Sequence, residues 1–180
     1  MNDEERFTEL YRQHHAAVEA YVARRTDPSS VLDVVANVFL TAWRRFADIP
    51  DETELPWLYG VARRTLANDR RAQQRQLSLA ELLAVQPPPL NTERQPDDVL
   101  VEMDLAKAFD LLDEKDREVL RLALWERISL TQCAQVLECS VPTVRVRLFR
   151  ARKRLRKHLP DAGAIKFSGD DGRVRRESHA

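Results

Sequence analysis

The chain has 180 residues, and its 29 lysine and arginine residues balance its 29 aspartate and glutamate residues. This length suits one ordinary domain or two small ones, and a neutral total does not favour a free-standing nucleic-acid binder, which is usually basic. No apolar run approaches the roughly 20 residues of a membrane span, and the acidic start MNDEE lacks the pattern of a secretory signal. We therefore expect a cytoplasmic protein without membrane insertion.

The charges are unevenly distributed along the chain. Residues 93–118 contain ten acidic and four basic residues, whereas residues 141–157 contain eight basic residues and no acidic one. A neutral chain with one strongly basic segment can bind phosphate locally and repel it elsewhere.

Motifs of catalysis are missing from the sequence. Cys133 and Cys139 fit a reducing compartment, and their spacing is not that of a zinc site. There is no glycine-rich phosphate loop and no G-x-S-x-G nucleophile motif. We expect no metal, no cofactor, no catalytic residue and no enzymatic activity.

The first 75 residues predict a small helical domain. Apolar residues recur at intervals of three and four, as in amphipathic helices, whereas strand patterns are poor. One helix is predicted over residues 7–21, a break at 27–30, a second helix over 31–43 and a loop at 47–56. A third helix is predicted from near Pro56 toward Arg75.

A linker is predicted at residues 76–96, because Pro87, Pro88 and Pro89 cannot continue a helix. A short helical piece around residues 79–85 fits within it. A second helical domain is predicted over residues 97–159, and the polar residues 160–180 are predicted to be disordered. The fold class is therefore all-α, with two small helical domains joined by a proline-containing linker.

The second domain carries helix-start signals in close succession. Acidic residues at 113–116 suit a helix start, Ser129 and Gln132 form a capping-box pattern, and Ser140 precedes Pro142 as a further cap. The last helix has one apolar stripe, formed by Val144, Leu148, Ala151 and Leu155. Two short helices, a turn of three or four residues and a basic second helix predict a helix-turn-helix. A solvated basic helix at the end of a bundle is the alternative.

Five segments carry a family resemblance. They are DVVANVFLTAWRR at 33–45, PWLYGVARR at 56–64, NDRR at 68–71, DREVL at 116–120 and TVRVRLFRAR at 143–152. In this order and spacing, they resemble the extracytoplasmic-function (ECF) subfamily of sigma-70-type RNA polymerase sigma factors. The resemblance covers residues 7–159 and implies an alternative sigma factor that binds core polymerase, recognises the −35 and −10 promoter elements and promotes strand opening.

The resemblance implies three binding sites. The first grips the clamp helices of the polymerase, and its predicted residues are Asp33, Asn37, Leu40, Trp43 and Arg44. The second contacts and opens the −10 element, because an aromatic ring can stack on an unstacked base and cations can hold the backbone. Its predicted residues are Trp57, Arg63, Arg64, Asn68, Arg70 and Arg71. A tryptophan packed in the core and a solvated arginine face are the alternatives there.

The third implied site reads the −35 element and docks on the polymerase flap. Residues early in the last helix should reach bases, and later arginines such as Arg154 should contact only phosphates. The predicted residues are Ser140, Thr143, Arg145, Val146, Arg147, Arg150 and Arg154. The linker would thread through the polymerase, and the resemblance also implies an anti-sigma protein as a partner. Val146 and the neighbouring Phe149 fit that interface, but thymine methyl groups or the flap suit them equally.

The sequence departs from the family pattern at three places. Asn37 replaces a usual acid, Glu138 stands in the turn where glycine is common, and residues 130–133 (LTQC) replace an aromatic-acid-acid run. Glu138 implies either a looser turn or a strained residue. A conventional helix-turn-helix regulator with an N-terminal partner-binding domain is the alternative function, although it would not need the helix from Trp57 to Arg71.

Overall fold

The computed structural model describes residues 2–82 and 100–159. The proline-containing part of the predicted linker and the predicted tail at 160–180 lie outside these residues. The chain divides into two compact units, Met1–Glu93 and Arg94–Ala180. Every regular element in the described residues is an α-helix or a short 3₁₀ helix, which confirms the all-α prediction.

The first unit contains three helices, α1 (Asp3–Ala23), α2 (Val31–Arg44) and α3 (Glu54–Leu82). A capping box starts α1, because Asn2 Oδ1 accepts from the Glu5 amide at 2.8 Å while Glu5 Oε2 accepts from the Asn2 amide at 2.9 Å. Such a cap stabilises a helix by about 1 kcal/mol. The predicted break between α1 and α2 contains a 3₁₀ helix, Pro28–Ser30.

The core of the first unit lies where the three helices meet. Its most deeply buried side chains are Val18, Tyr21, Val22, Val38, Ala42, Leu58 and Ala62. Tyr21 and Tyr59 stack across α1 and α3 with ring centroids 4.5 Å apart. Tyr11 belongs to the predicted apolar stripe of α1 but is 43% exposed. It lies at the edge of the core and packs its ring edge-on against Phe39.

The third helix is longer than the sequence predicted. It starts at Glu54 and continues to Leu82, so it includes residues 76–82 of the predicted linker. Residues 72–82 contain alanine, glutamine, arginine, leucine, serine and glutamate without glycine or proline, so most of them favour the helix and nothing breaks it before the proline run. Of the short helical piece predicted at 79–85, residues 79–82 belong to α3 and the rest lies outside the described residues.

The second unit contains α4 (Leu100–Asp110), α5 (Glu114–Leu124), α6 (Leu130–Leu137) and α7 (Val141–Lys157). The predicted start signals are confirmed at three helices. Asp113 caps α5, Ser129 and Gln132 form a capping box on α6, and Ser140 caps α7. The buried core includes Ala108, Leu112, Val119, Leu120, Leu122, Val136, Val144, Leu148, Ala151 and Leu155. The whole predicted stripe of α7 is therefore buried.

Candidate nucleic-acid and polymerase interfaces

The outer face of α2 carries the residues predicted to bind polymerase. All five are exposed and lie opposite the buried valines of α2: Asp33, Asn37, Leu40, Trp43 and Arg44. We call this set the α2 surface. Leu40 is 45% and Trp43 46% exposed, so apolar area is presented beside charged groups. Trp43 is also held from one side, because its ring packs edge-on against Phe7 at 5.0 Å.

The residues predicted to open DNA separate into two groups on α3. Trp57, Arg64, Asn68 and Arg71 follow one another at seven, four and three residues, so they share one face of the helix. We call this set the α3 surface. Trp57 is half-buried, and the other three are exposed. Arg63 and Arg70 belong to a neighbouring face, where Arg63 is half-buried.

Arg70 is exposed, but its side chain also makes a contact within the protein. Its Nη2 donates to the carbonyl oxygen of Arg25 at 3.0 Å, just beyond the end of α1. Arg25 is itself buried, and its guanidinium lies 3.5 Å from the centroid of the Tyr21 ring while Nη1 donates to the Tyr21 carbonyl. Arg70 thus ties α3 to the end of α1.

A further arginine lies beside Trp57. The Arg45 guanidinium is 5.9 Å from the Trp57 ring centroid, within the range of a cation–π contact. Arg45 Nε also donates to Asp48 at 2.9 Å, in the 3₁₀ helix Phe46–Asp48 of the loop between α2 and α3. Sequence reasoning omitted Arg45 from the site, because only the folded loop brings it to the start of α3.

The turn between α6 and α7 is a Schellman motif. The Cys139 amide donates to the Ala134 carbonyl at 3.0 Å, and the Glu138 amide donates to the Gln135 carbonyl at 3.3 Å. Glu138 has φ 51° and ψ 47°, the left-handed conformation usually taken there by glycine. Of the two sequence interpretations, a tight turn with a strained Glu138 is therefore correct.

The start of α7 presents basic and apolar side chains to solvent. We call the exposed residues Arg145, Val146, Arg147 and Arg150 the α7 surface. Ser140 and Thr143, also predicted to contact DNA, hold each other, since their hydroxyl oxygens are 2.8 Å apart. Arg147 Nη1 is 3.8 Å from the Cys139 sulfur in the turn. The remaining predicted residue, Arg154, forms an ion pair with Asp116 of α5.

Phe149 of α7 is exposed like Val146, and 68% of it is accessible to solvent. A separate apolar surface lies at the ends of α4 and α5, where no site was predicted. Phe109 and Trp125 pack edge-on with centroids 5.3 Å apart, and Leu111, two residues after Phe109 in the chain, is 67% exposed. We call these three residues the aromatic patch.

Burial shifts the pKa of three groups in the described helices. It lowers the pKa of His14 in α1, an effect that the negative charge of Glu54 partly offsets. It raises the pKa of the Cys133 thiol to about 12, and Glu118 acts in the same direction. It lowers the pKa of Arg152, with the charge of Arg156 adding to the effect.

Within residues 2–82 and 100–159, no cluster of three or more histidine, cysteine, aspartate or glutamate side chains could hold a metal ion. None of the described helices combines the length and apolar character needed to cross a membrane.

Comparisons with known proteins match both units. A family model described as Sigma-70 region 2 matches residues 10–76, and one described as Sigma-70, region 4 matches residues 102–155. The chain is 28% identical over 162 residues to the ECF RNA polymerase sigma-E factor of Escherichia coli K12, covering 84% of this chain and 85% of that protein. It is 29% identical over 167 residues to the ECF RNA polymerase sigma factor SigK of Mycolicibacterium vanbaalenii, covering 87% and 83%.

Two solved structures share the fold. The sigma factor RpoE of Bartonella quintana, in complex with the anti-sigma factor NepR, matches with a TM-score of 0.66 and 19% identity, over 86% of this chain and 96% of that chain. CnrH, in complex with the cytosolic domain of CnrY, matches with a TM-score of 0.57 and 24% identity, over 86% and 87%.

Proposed function

Since the chain belongs to the extracytoplasmic-function family of sigma-70 factors, it is an alternative sigma factor for transcription initiation, and we propose that it works through three of the surfaces described above. The α2 surface binds core polymerase, the α3 surface opens the −10 element and the α7 surface reads the −35 element. Such a protein acts in the cytoplasm, where polymerase and promoter DNA meet. A conventional regulator would not account for the region 2 match at residues 10–76.

The main support for this proposal is that α7 has one buried apolar side and one exposed basic side. Its apolar stripe is buried, while Arg145, Arg147 and Arg150 are exposed near its start, directly after the tight turn. Arginine forks pair with the O6 and N7 atoms of guanine in the major groove, which is wide enough to admit a helix. The start of α7 is therefore suited to read bases.

The α3 surface has the chemistry of strand opening. The half-buried Trp57 ring is fixed beside Arg45, and an unpaired base can stack on an aromatic face. Arg64 and Arg71, on the same side of the helix, can neutralise the phosphates of the displaced strand. We assign Arg70 mainly to the junction with α1, because its guanidinium is bonded to the Arg25 carbonyl.

Polymerase contact involves both units in this proposal. The α2 surface binds the clamp helices through Leu40 and Trp43 with the charged residues around them. The aromatic patch of the second unit offers exposed apolar area, as protein interfaces do, and we assign it to the polymerase flap. The part of the chain between the two units would thread through the polymerase.

The central test is run-off transcription on genomic fragments with purified core polymerase, with and without the protein. Promoter-specific transcripts are expected only when both are present. Nanomolar sequence-specific binding in a gel shift without polymerase would instead support the conventional regulator. On a promoter found in this way, Arg71→Gln should reduce the salt dependence of binding by the contribution of about one phosphate contact. Arg70→Gln should instead mainly lower the stability of the first unit.

The α2 surface has a matched control on its own helix. Leu40→Gln should weaken binding to core polymerase, whereas Leu32→Gln should not, although Leu32 is more exposed at 73%. Equal effects of the two substitutions, measured by fluorescence titration of labelled protein with core, would argue against this assignment.

We also infer that an anti-sigma protein covers these surfaces when the factor is inactive. The support is exposed apolar area on functional helices, at Leu40, Trp43, Val146 and Phe149. Of the solved structures with this fold, the sigma factor RpoE is in complex with the anti-sigma factor NepR. A pull-down under non-inducing conditions that recovers polymerase subunits but no stoichiometric inhibitor would contradict the inference.

A further inference from the structure

One ion pair joins the end of the DNA-facing helix to the start of α5. Arg154 Nη1 donates to Oδ2 of Asp116, and a second carboxylate oxygen, Oδ2 of Asp113, lies 3.7 Å from the same nitrogen. Asp116 is only 5% exposed, so its carboxylate is largely removed from water. A carboxylate buried to this degree needs a partner, and removing that partner is costly.

The pair belongs to the cap of α5. Asp113 Oδ1 accepts from the Asp116 amide at 2.8 Å, so the residue that caps the helix also flanks Arg154. The positive end of the helix dipole stabilises both carboxylates. The hydrogen bond that Arg154 donates to Asp116 raises the pKa of Arg154, and the charges of both aspartates act in the same direction. The guanidinium is therefore held on the carboxylates, even though part of the side chain remains exposed.

The arginines of α7 consequently differ in what they can offer to DNA. Among the residues that the structure describes, no carboxylate oxygen lies within ion-pair distance of Arg145 or Arg150. Arg154, four residues after Arg150, already has its anionic partners. A phosphate near its exposed part would meet the negative charge of both aspartates, and drawing Nη1 away would leave the buried carboxylate without its partner.

We propose that Asp116 is a positioning residue for promoter recognition, which acts through Arg154 to fix α7 against the start of α5. The contact sets the angle at which Arg145 and Arg147 meet the bases, and it withdraws Arg154 from phosphate binding. The sequence position of Arg154 predicts a contact with the DNA backbone, whereas its ion pair gives it a role within the protein. The proposal rests on the proposed reading of the −35 element by α7.

The test uses holoenzyme reconstituted from the full chain and core polymerase, on a promoter identified by run-off transcription. Promoter binding is measured against salt concentration, because each phosphate contact contributes about 0.9 to the slope of log K against log salt. Arg150→Gln and Arg154→Gln remove the same charge from the same helix. We expect Arg150→Gln to lower the slope by about 0.9, and Arg154→Gln to leave it unchanged.

A selection from promoters with a randomised −35 element supplies the second measurement. We expect Arg154→Gln and Asp116→Asn to reduce discrimination against a single mismatch by similar factors, on the order of fivefold. The double variant should be no worse than either single one, because both remove one contact. The double variant also leaves no buried unpaired carboxylate, so it can be measured even if one of the single variants does not fold.

Two results would count against these ideas in different ways. A slope lowered by Arg154→Gln as much as by Arg150→Gln, with base preference intact, would show that Arg154 binds phosphate and would overturn the positioning role. If Arg150→Gln, Arg145→Ala and Arg147→Ala all left −35 binding unchanged, the proposed function of α7 itself would fail.

Discussion

Replacing Glu138 with glycine should stabilise the second unit. Glu138 ends α6 with φ 51°, and this left-handed conformation costs a residue with a Cβ about 1–2 kcal/mol. Glycine removes that cost but adds about 0.4–1 kcal/mol of chain entropy to the unfolded state. The difference predicts a gain of about 1 kcal/mol. For a unit of this size, such a gain raises the melting temperature by about 4–8 °C.

Trp125 is the only tryptophan of the second unit, since the other two are Trp43 and Trp57. Guanidinium denaturation can therefore be followed by Trp125 fluorescence in a background in which both others are phenylalanine. Glu138→Ala is the matched control, because it also removes the carboxylate but keeps the backbone strain. We expect Glu138→Gly to raise the midpoint and Glu138→Ala not to. An equal gain from alanine, or no gain from glycine, would refute the backbone argument.

Three further outcomes are expected. The folded pKa of His14 lies below its ordinary value near 6.5, so the folded unit binds fewer protons than the unfolded chain. The free energy of unfolding should therefore fall as the pH drops below about 6.5. Denaturation at pH 7 and pH 5.5 should show a smaller fall for His14→Gln than for the unchanged protein. Iodoacetamide at pH 8 should modify Cys139 in the native protein but reach Cys133, whose pKa is about 12, only after unfolding, as peptide mass spectrometry would show. Ser129→Ala should destabilise α6 by about 1 kcal/mol, whereas Ser129→Asp should retain most of the cap, as judged by denaturation midpoints.

Local chemistry made the helix-turn-helix predictable. Side-chain caps act within three residues, and the apolar stripe of α7 follows from helical spacing alone, so Ser129, Ser140 and Leu148 could be placed from the sequence. Helical spacing also predicted the buried valines of α2, and the residues that the resemblance implied for polymerase binding lie on the opposite, exposed side. The end of α3 lies beyond its predicted position, because the residues before the proline run favour a helix and contain no helix breaker.

The partners of individual arginines were not predictable. Arg70 bonds to a carbonyl 45 residues earlier, and Arg154 bonds to a carboxylate 38 residues earlier. Helical periodicity identifies the side of the helix on which each arginine lies, but not the element packed over that side. Arg70 and Arg71 therefore looked equivalent in the sequence, although only Arg70 is bonded to the end of α1.

The length of α3 affects how far the chain can reach after it. Leu66 is the last buried side chain that the structure shows on this helix, yet the helix continues for sixteen residues to Leu82. Those residues rise about 1.5 Å each while helical and up to about 3.3 Å each when extended. A fray of two residues would therefore lengthen the chain by about 3.6 Å, close to the 3.4 Å rise of one DNA base pair. Unwinding of the last residues of α3 would let the factor use promoters whose two elements differ in spacing by a base pair or two.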